Sequence, residues 1–222
     1  AASDVYKRQI KYTVDAVELA YRMGCTKFIG AGSQAEYGIH GEKSTKPSSI
    51  LQPIDAYGIS KMAAGKLGLL EAKKKKMSFI WVRIFSVYGK YENPNSMIQV
   101  TLQKLLKNEN CDFSTGTQMW DYLYSSDAGR AFLKLGDSET KNNYYCLGSG
   151  NAKPLKEYIY EMQNILHSNS KLNFGIIQDN PINRNGMCAD ITTLTQDTGW
   201  VPEVDFIQGI KWEVERLRRK MK

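Results

Sequence analysis

Lys27-Phe28-Ile29-Gly30-Ala31-Gly32-Ser33, followed by Glu36-Tyr37-Gly38 and, beyond a polar loop, by Tyr57-Gly58-Ile59-Ser60-Lys61, is the stretch on which the fold turns. The first seven residues read as a short apolar strand ending in a serine. After the loop, Pro53 and a capping Asp55 open a helix that carries Tyr57 and Lys61 and runs through Leu67 and Leu70 to a lysine run. A tyrosine and a lysine four residues apart share one helix face, about 6 Å apart at Cβ. The ammonium then favours the phenolate, which makes the tyrosine a usable acid or base. A serine at the carboxyl end of a parallel strand lies on the edge where open α/β sheets bind ligands, and there it can hold a substrate oxygen against that phenol.

Working outward from this stretch, Ile10, Val14, Val17 and Tyr21 form a helical stripe that stops at Gly24 and feeds the strand. Residues 1–9 show no periodicity and read as a leader foreign to the fold. Downstream, residues 78–84 are apolar and β-branched enough for a buried parallel strand. Beyond Gly89 the elements shorten. Met97, Val100 and Leu105 mark a helix, residues 111–113 and 120–124 two short strands, and Ser126-Asp127 the cap of a helix reaching Leu135. A returning strand is expected over 143–147, a helix begun by Pro154, a strand over 171–177, and a last helix with Ile207, Ile210, Val214 and Leu217 on one face. The division expected is a leader (1–9), a partial nucleotide-binding domain (10–92, joined by the returning strand near 142–149) and a mainly substrate-binding lobe (93–222).

Five motifs in order resemble the extended short-chain dehydrogenase/reductase family, the NAD(P)-dependent epimerases, dehydratases and reductases of nucleotide-activated sugars. They are Ser33 with Tyr37-Gly38, Tyr57-x-x-x-Lys61, Arg83-Ile84-Phe85-Ser86-Val87-Tyr88-Gly89, Trp120-Asp121-Tyr122-Leu123-Tyr124-Ser125-Ser126-Asp127, and Ala189-Asp190-Ile191 with Gly199-Trp200-Val201-Pro202. The resemblance covers roughly residues 10–217. It implies an α/β fold, namely the carboxyl-terminal part of a Rossmann-type doubly wound parallel sheet plus a small α+β lobe. It also implies a hydride moved at a sugar carbon by NAD or NADP. The catalytic set it implies is Ser33, Tyr57 and Lys61, with Tyr57, Lys61, Phe85 and Val87 towards the cofactor and Ser33, Gln34, Ser86, Asn95 and Arg184 towards a nucleotide-sugar. Relatives often carry asparagine at the position of Ser86 and arginine at that of Trp120, which here reads as stacking or packing. Two readings stand for Arg184: a partner of the substrate diphosphate, suited by its planar fork of donors, or an exposed loop arginine.

Family members begin with a strand, a glycine-rich turn and a helix that holds the dinucleotide pyrophosphate. No such segment precedes Ile10, and Gly148-Ser149-Gly150 reads as a turn. The expectation is an amino-terminally truncated member, inactive alone, whose parent is a 4-ketosugar reductase or epimerase, since Gln34-Ala35 stand where dehydratases of the family place an acidic pair. The competing reading is a non-catalytic fragment that serves as an interaction surface. The family's habit of pairing the helices at 10–23 and 55–73 across a two-fold axis implies a homodimer.

The 222 residues are 42% hydrophobic, enough for a real core, and contain no apolar run of the roughly 18 residues that a membrane span needs. The chain reads as cytoplasmic, with no membrane partner. Its net charge of +7 lies largely in Lys73–Lys76 and 216–222, at helix ends where cations suit the dipole, and no nucleic-acid-binding motif accompanies it. Cys25, Cys111, Cys146 and Cys188 have neither CxxC nor Cys/His spacing, so reduced packing thiols are expected, and no metal. His40 and His167 read as loop and helix-end residues without partners.

Overall fold

The computed structural model describes residues 2–39, 44–179 and 187–221. Its centre is a parallel sheet of order β1-β2-β7, built from β1 (Lys27–Ser33), β2 (Ser78–Ile84) and β7 (Tyr144–Leu147). Side chains alternate along a strand, and β2 uses both faces. Phe79 and Trp81 pack with Val17, Ala64 and Ala72 of α1 (Ala2–Arg22) and α2 (Ala56–Lys74). Ile80 and Val82 pack the other way, with Ala131 and Leu135 of α4 (Ser125–Asp137), Leu194 of α6 (Thr192–Thr198) and Trp200. Helices therefore cover both faces of a parallel sheet, the doubly wound arrangement expected from the sequence.

Trp81 explains the glycines of β1. Its indole is 1% exposed and stacks on Phe79 with centroids 6.1 Å apart. A Cβ at Gly30, Gly32 or Gly65 would lie 2.5, 2.4 or 2.7 Å from it, so the three glycines form the niche that admits the ring.

The second lobe gathers α3 (Met97–Leu106), α5 (Leu155–Leu166) and α7 (Phe206–Met221) around Ile98, Leu102, Tyr158, Ile159, Ile210 and Val214. Three two-stranded ribbons fringe it: β3 (Ser86–Tyr88) with β6 (Tyr122–Tyr124), β4 (Cys111–Asp112) with β9 (Leu172–Asn173), and β5 (Met119–Trp120) with β8 (Lys153–Pro154).

Several expectations change. The first helix begins at Ala2, not near residue 10, so residues 2–9 continue α1. The strand expected at 120–124 breaks at Asp121, whose carboxylate accepts from Ser149 N (2.6 Å), Ser149 Oγ (2.6 Å), Gly150 N (3.2 Å) and Ala189 N (2.9 Å). Residues 148–150 are the turn expected, but the turn is held by a buried acid. The strand expected at 171–177 shrinks to Leu172–Asn173. Asp127 does not cap α4. It is fully buried, accepts from the amides of Glu203 and Val204 (both 2.9 Å) and pairs with Arg130 (2.6 Å). Within 93–222, α4, β7 and α6 pack on the sheet core. Arg184 and His40 lie outside the described residues.

Candidate active site

Ser33 ends β1 and opens a short 3-10 turn, Gln34–Glu36. Its Oγ accepts from Ala35 N (3.2 Å), while the Glu36 carboxylate accepts from Ser33 N (2.9 Å), a reciprocal cap that fixes the serine at the strand's end. Accepting leaves the hydroxyl proton of Ser33 uncommitted, and no described group takes it. α2 is capped as expected, Asp55 accepting from Gly58 N at 2.7 Å. Gly58 then lets the helix seat against the serine turn, since a Cβ there would lie 2.3 Å from Ala35 O. This close approach is what brings the tyrosine-bearing helix to Ser33.

Tyr57 is half-buried, and its hydroxyl has no described hydrogen-bond partner. Lys61 Nζ lies 5.9 Å from the Tyr57 ring centroid and donates to Ala31 O on β1 at 2.9 Å. Burial lowers the pKa of the Lys61 ammonium from its ordinary value, and the negative charge of Glu36 opposes that shift. Lys61 also lines a cavity of about 370 Å³ between α1 and β1, beside Ile29, Gly30 and Ala31. Among the described residues β1 pairs only with β2, so this cavity runs along its open edge.

Behind the serine turn lies a network that the sequence did not reveal. Glu36, 1% exposed, accepts from Trp81 Nε1 (2.8 Å) and Arg83 Nε (2.9 Å) as well as from Ser33 N. Arg83, 3% exposed, also donates to Tyr37 Oη (3.0 Å) and Pro47 O (2.8 Å). Tyr37 Oη meets Cys146 Sγ at 3.1 Å, and burial pushes the Cys146 thiol up to about 12. Tyr37 is therefore a buried strut, its phenol raised by the same loss of solvent. The loop that follows is stitched across the molecule, with Thr45 N donating to Cys188 O (2.7 Å) and Asp190 N to Thr45 O (2.8 Å). A lone charge inside the apolar run 78–84 was the one visible signal, because a buried arginine requires an acidic partner.

The other residues singled out from the sequence divide by burial. Gln34 and Ser86 are half-buried, Ser86 opposite Tyr122 in the β3–β6 pair. Val87 packs beside the sheet core. The Phe85 ring is buried in a cluster with Tyr37, Cys146 and Ala189, and its amide is spent on Leu147 O. Asn95 stands apart, exposed on the wall of a cavity of about 430 Å³ in the second lobe that Phe113, Leu155 and Ile177 also line. Trp120 packs against the lobe core with its ring 6.3 Å from that of Tyr122. Among the described residues no cluster could hold a metal ion, and no helix is long and apolar enough to cross a membrane.

For a dinucleotide, the donor set fits one end. Lys61 has two N–H groups beyond the one given to Ala31 and sits beside Tyr57, which suits a ribose diol and a carbonyl-bearing ring. The described residues hold no glycine turn opening a helix for the pyrophosphate.

A family model, "NAD dependent epimerase/dehydratase family", matches residues 1–148, the opening helix included. The chain is 28% identical over 213 residues to the dTDP-D-glucose 4,6-dehydratase of Mus musculus, covering 91% of this chain and 59% of that protein. It is 29% identical over 208 residues to the dTDP-4-dehydro-6-deoxyglucose reductase of Escherichia coli, covering 90% and 64%. It thus spans about three-fifths of the length of these curated relatives. Among solved structures, the UDP-glucuronic acid 4-epimerase of Bacillus cereus in complex with NAD superposes with a TM-score of 0.84 at 20% identity, over 96% of this chain and 68% of that one.

Proposed function

Because the chain belongs to the NAD-dependent epimerase/dehydratase family, whose cofactor is NAD(P), we propose that it is the catalytic-triad and substrate-lobe part of a nucleotide-sugar 4-ketoreductase or epimerase. The observation that carries the proposal is the joint placement of Ser33 and Tyr57, one strand end and one helix start pressed together at Gly58, each with an uncommitted hydroxyl. Bound NAD(P) would take or give the hydride at the sugar carbon; the protein supplies position and charge. Ser33 donates to the sugar oxygen and holds it facing Tyr57. Tyr57 moves the hydroxyl proton. Lys61 favours the phenolate and holds the nicotinamide ribose. A reductase or epimerase is favoured over a dehydratase because Gln34 and Ala35 are not acids, and the one carboxylate of the turn, Glu36, is consumed by Ser33 N, Trp81 and Arg83. Asn95 and its cavity would take the nucleotide end of the substrate, and Arg184 is proposed for its diphosphate.

The 222 residues alone are expected to turn over NAD(P)H only near background, because a pyrophosphate cradle supplies much of the dinucleotide's binding. A thermal-shift series with NAD, NADP, UDP and dTDP tests the reading. Stabilisation by a nucleoside diphosphate supports a substrate lobe, and none by any of the four favours the second reading, a non-catalytic interaction fragment. Robust turnover by the isolated chain would overturn the expected inactivity.

We further propose a homodimer through α1 and α2. Val17 is fully buried in the core, so a charge there would unfold the chain instead of probing association. The outer face is Tyr12 and Leu19 on α1 with Leu67 and Leu70 on α2, exposed by 44 to 59%, and Met23 just beyond α1. Exposed apolar side chains on two adjoining helices suit an association surface, and a two-fold contact lets it close on itself. Leu19→Glu combined with Leu67→Glu is expected to convert a dimer of about 50 kDa into a 25.1 kDa monomer in light scattering, with an unchanged circular dichroism spectrum. A wild-type monomer at tens of micromolar would reject the dimer; an intact variant dimer would reject the face.

A further inference from the structure

The two oxygens of the buried Glu36 carboxylate keep different company. Oε1 accepts from the Ser33 amide (2.9 Å) and the Trp81 indole N–H (2.8 Å), both neutral donors. Oε2 accepts from Arg83 Nε (2.9 Å), and the same guanidinium is spent further on Tyr37 Oη and Pro47 O. The indole on Oε1 leads to α2. A Cβ at Gly32 would lie 2.6 Å from Glu36 Oε1 and 2.4 Å from Trp81 Nε1, and one at Gly65, a helical turn beyond Lys61, 2.7 Å from that Nε1. Lys61 Nζ stands over the same indole, 6.0 Å from its centroid. Lys61 itself has no ion pair among the described residues. From α1 its cavity receives Gln9, Tyr12 and Thr13, none of them charged at neutral pH; the Tyr57 phenol lies on its own helix, and Arg83 on β2 is a cation already matched to Glu36. Glu36 is the anion whose charge opposes the loss of the proton that burial favours at Lys61.

Resting on the proton transfer proposed above for Ser33, Tyr57 and Lys61, we infer that Glu36 is a positioning residue of that site: it pins Ser33 through the backbone and is the counter-charge of the Lys61 ammonium. Lys61 favours a phenolate only while it is a cation. As a neutral amine it would still fit its place and still donate to Ala31 O, yet it would hold no charge against Tyr57. One buried group thereby sets both the place of the serine and the charge of the lysine, although it touches neither substrate nor cofactor.

The test is competitive labelling of lysines by acetic anhydride at mildly alkaline pH, read residue by residue by mass spectrometry on the 222-residue chain, on Glu36→Gln and on Glu36→Asp. Only the neutral amine reacts, so a lysine that loses its counter-charge labels faster. Glu36→Gln keeps the shape and removes the charge; Glu36→Asp keeps the charge and draws it back from Ser33 N. The expected result is Lys61 labelling about threefold faster in Glu36→Gln, the order of effect of one charge across a half-buried site, and near the wild-type rate in Glu36→Asp. Lys27, held by the carbonyls of Leu135, Gly136 and Ser138, is the internal reference and should not change. An unchanged Lys61 in a folded Glu36→Gln chain overturns the inference, and so does equal acceleration in both variants, which a purely structural role would give. If Glu36→Gln does not fold, Glu36→Gln with Arg83→Met, which leaves no buried charge alone, carries the same test with the same expected acceleration. The labelling needs neither cofactor nor substrate, so its outcome is separate from that of the thermal-shift series. An unchanged Lys61 beside stabilisation by a nucleoside diphosphate rejects the role of Glu36 and leaves the nucleotide-sugar reading standing; no stabilisation by any nucleotide rejects that reading, and the positioning role with it.

Discussion

Arg83→Met is expected to lower the free energy of unfolding by about 3–5 kcal/mol, because it leaves the Glu36 carboxylate buried without its cation. Glu36 keeps the bonds from Ser33 N and Trp81 Nε1, but both donors are neutral, and Tyr37 Oη and Pro47 O each lose a donor as well. An unsatisfied buried group adds its own cost of about 1–3 kcal/mol. Methionine fills much of the vacated length, so the loss reports charge and hydrogen bonding more than volume. Two comparisons make the origin clear in urea unfolding. The double variant Glu36→Gln with Arg83→Met should recover part of the loss, since it removes the lone charge. Raising the salt should change the wild-type value little, because a pair this buried is poorly screened. A loss below about 1 kcal/mol, the range of exposed ion pairs, would show that the network is hydrated and dispensable.

Tyr57→Phe, placed in an enzyme that joins these residues to a pyrophosphate-binding turn, is expected to lower turnover by about 10² to 10⁴-fold while leaving the thermal midpoint nearly unchanged. The two halves of that expectation have separate grounds. Phenylalanine keeps the ring but removes the hydroxyl to which the proposed mechanism assigns the proton transfer. The Tyr57 hydroxyl has no described partner, so its removal orphans nothing in the fold. Lys61 would remain on Ala31 O, and binding of the dinucleotide ribose should persist. Loss in kcat with KM nearly constant is therefore the expected signature, as for an interaction made only in the transition state. Near-normal turnover would reduce Tyr57 to a packing residue.

Much of this was legible because it is local. The four-residue spacing of Tyr57 and Lys61, the Asp55 cap and the apolar run of β2 are short-range patterns, and each survives in the structure as read. Long-range pairings were not legible. Nothing in the order of residues says that Glu36 meets Arg83, 47 positions away, or that Asp121 gathers the amides of Ser149, Gly150 and Ala189. Asp127 was misread for the same reason: an acid at a helix start suits a cap, but the amides of Glu203 and Val204 took it first. Residues 2–9 escaped because they carry helix-forming side chains without an apolar stripe, so periodicity is silent where propensity and continuation of an existing helix suffice. The strand at 171–177 failed because pairing partners, not β-propensity, set its length.

Trp81 and its three glycines form a set that an evolutionary path can leave only with difficulty. Alanine at Gly30, Gly32 or Gly65 drives a methyl into the indole or the neighbouring ring atoms. Shrinking Trp81 first opens a void at a cost of about 3–5 kcal/mol and strands one donor bond of Glu36. Either order passes through a chain that has lost a large part of an ordinary domain's stability of about 5–15 kcal/mol. The four positions are thus expected to change only together, and through Glu36 they tie the shape of an inner strand to the serine that ends its neighbour.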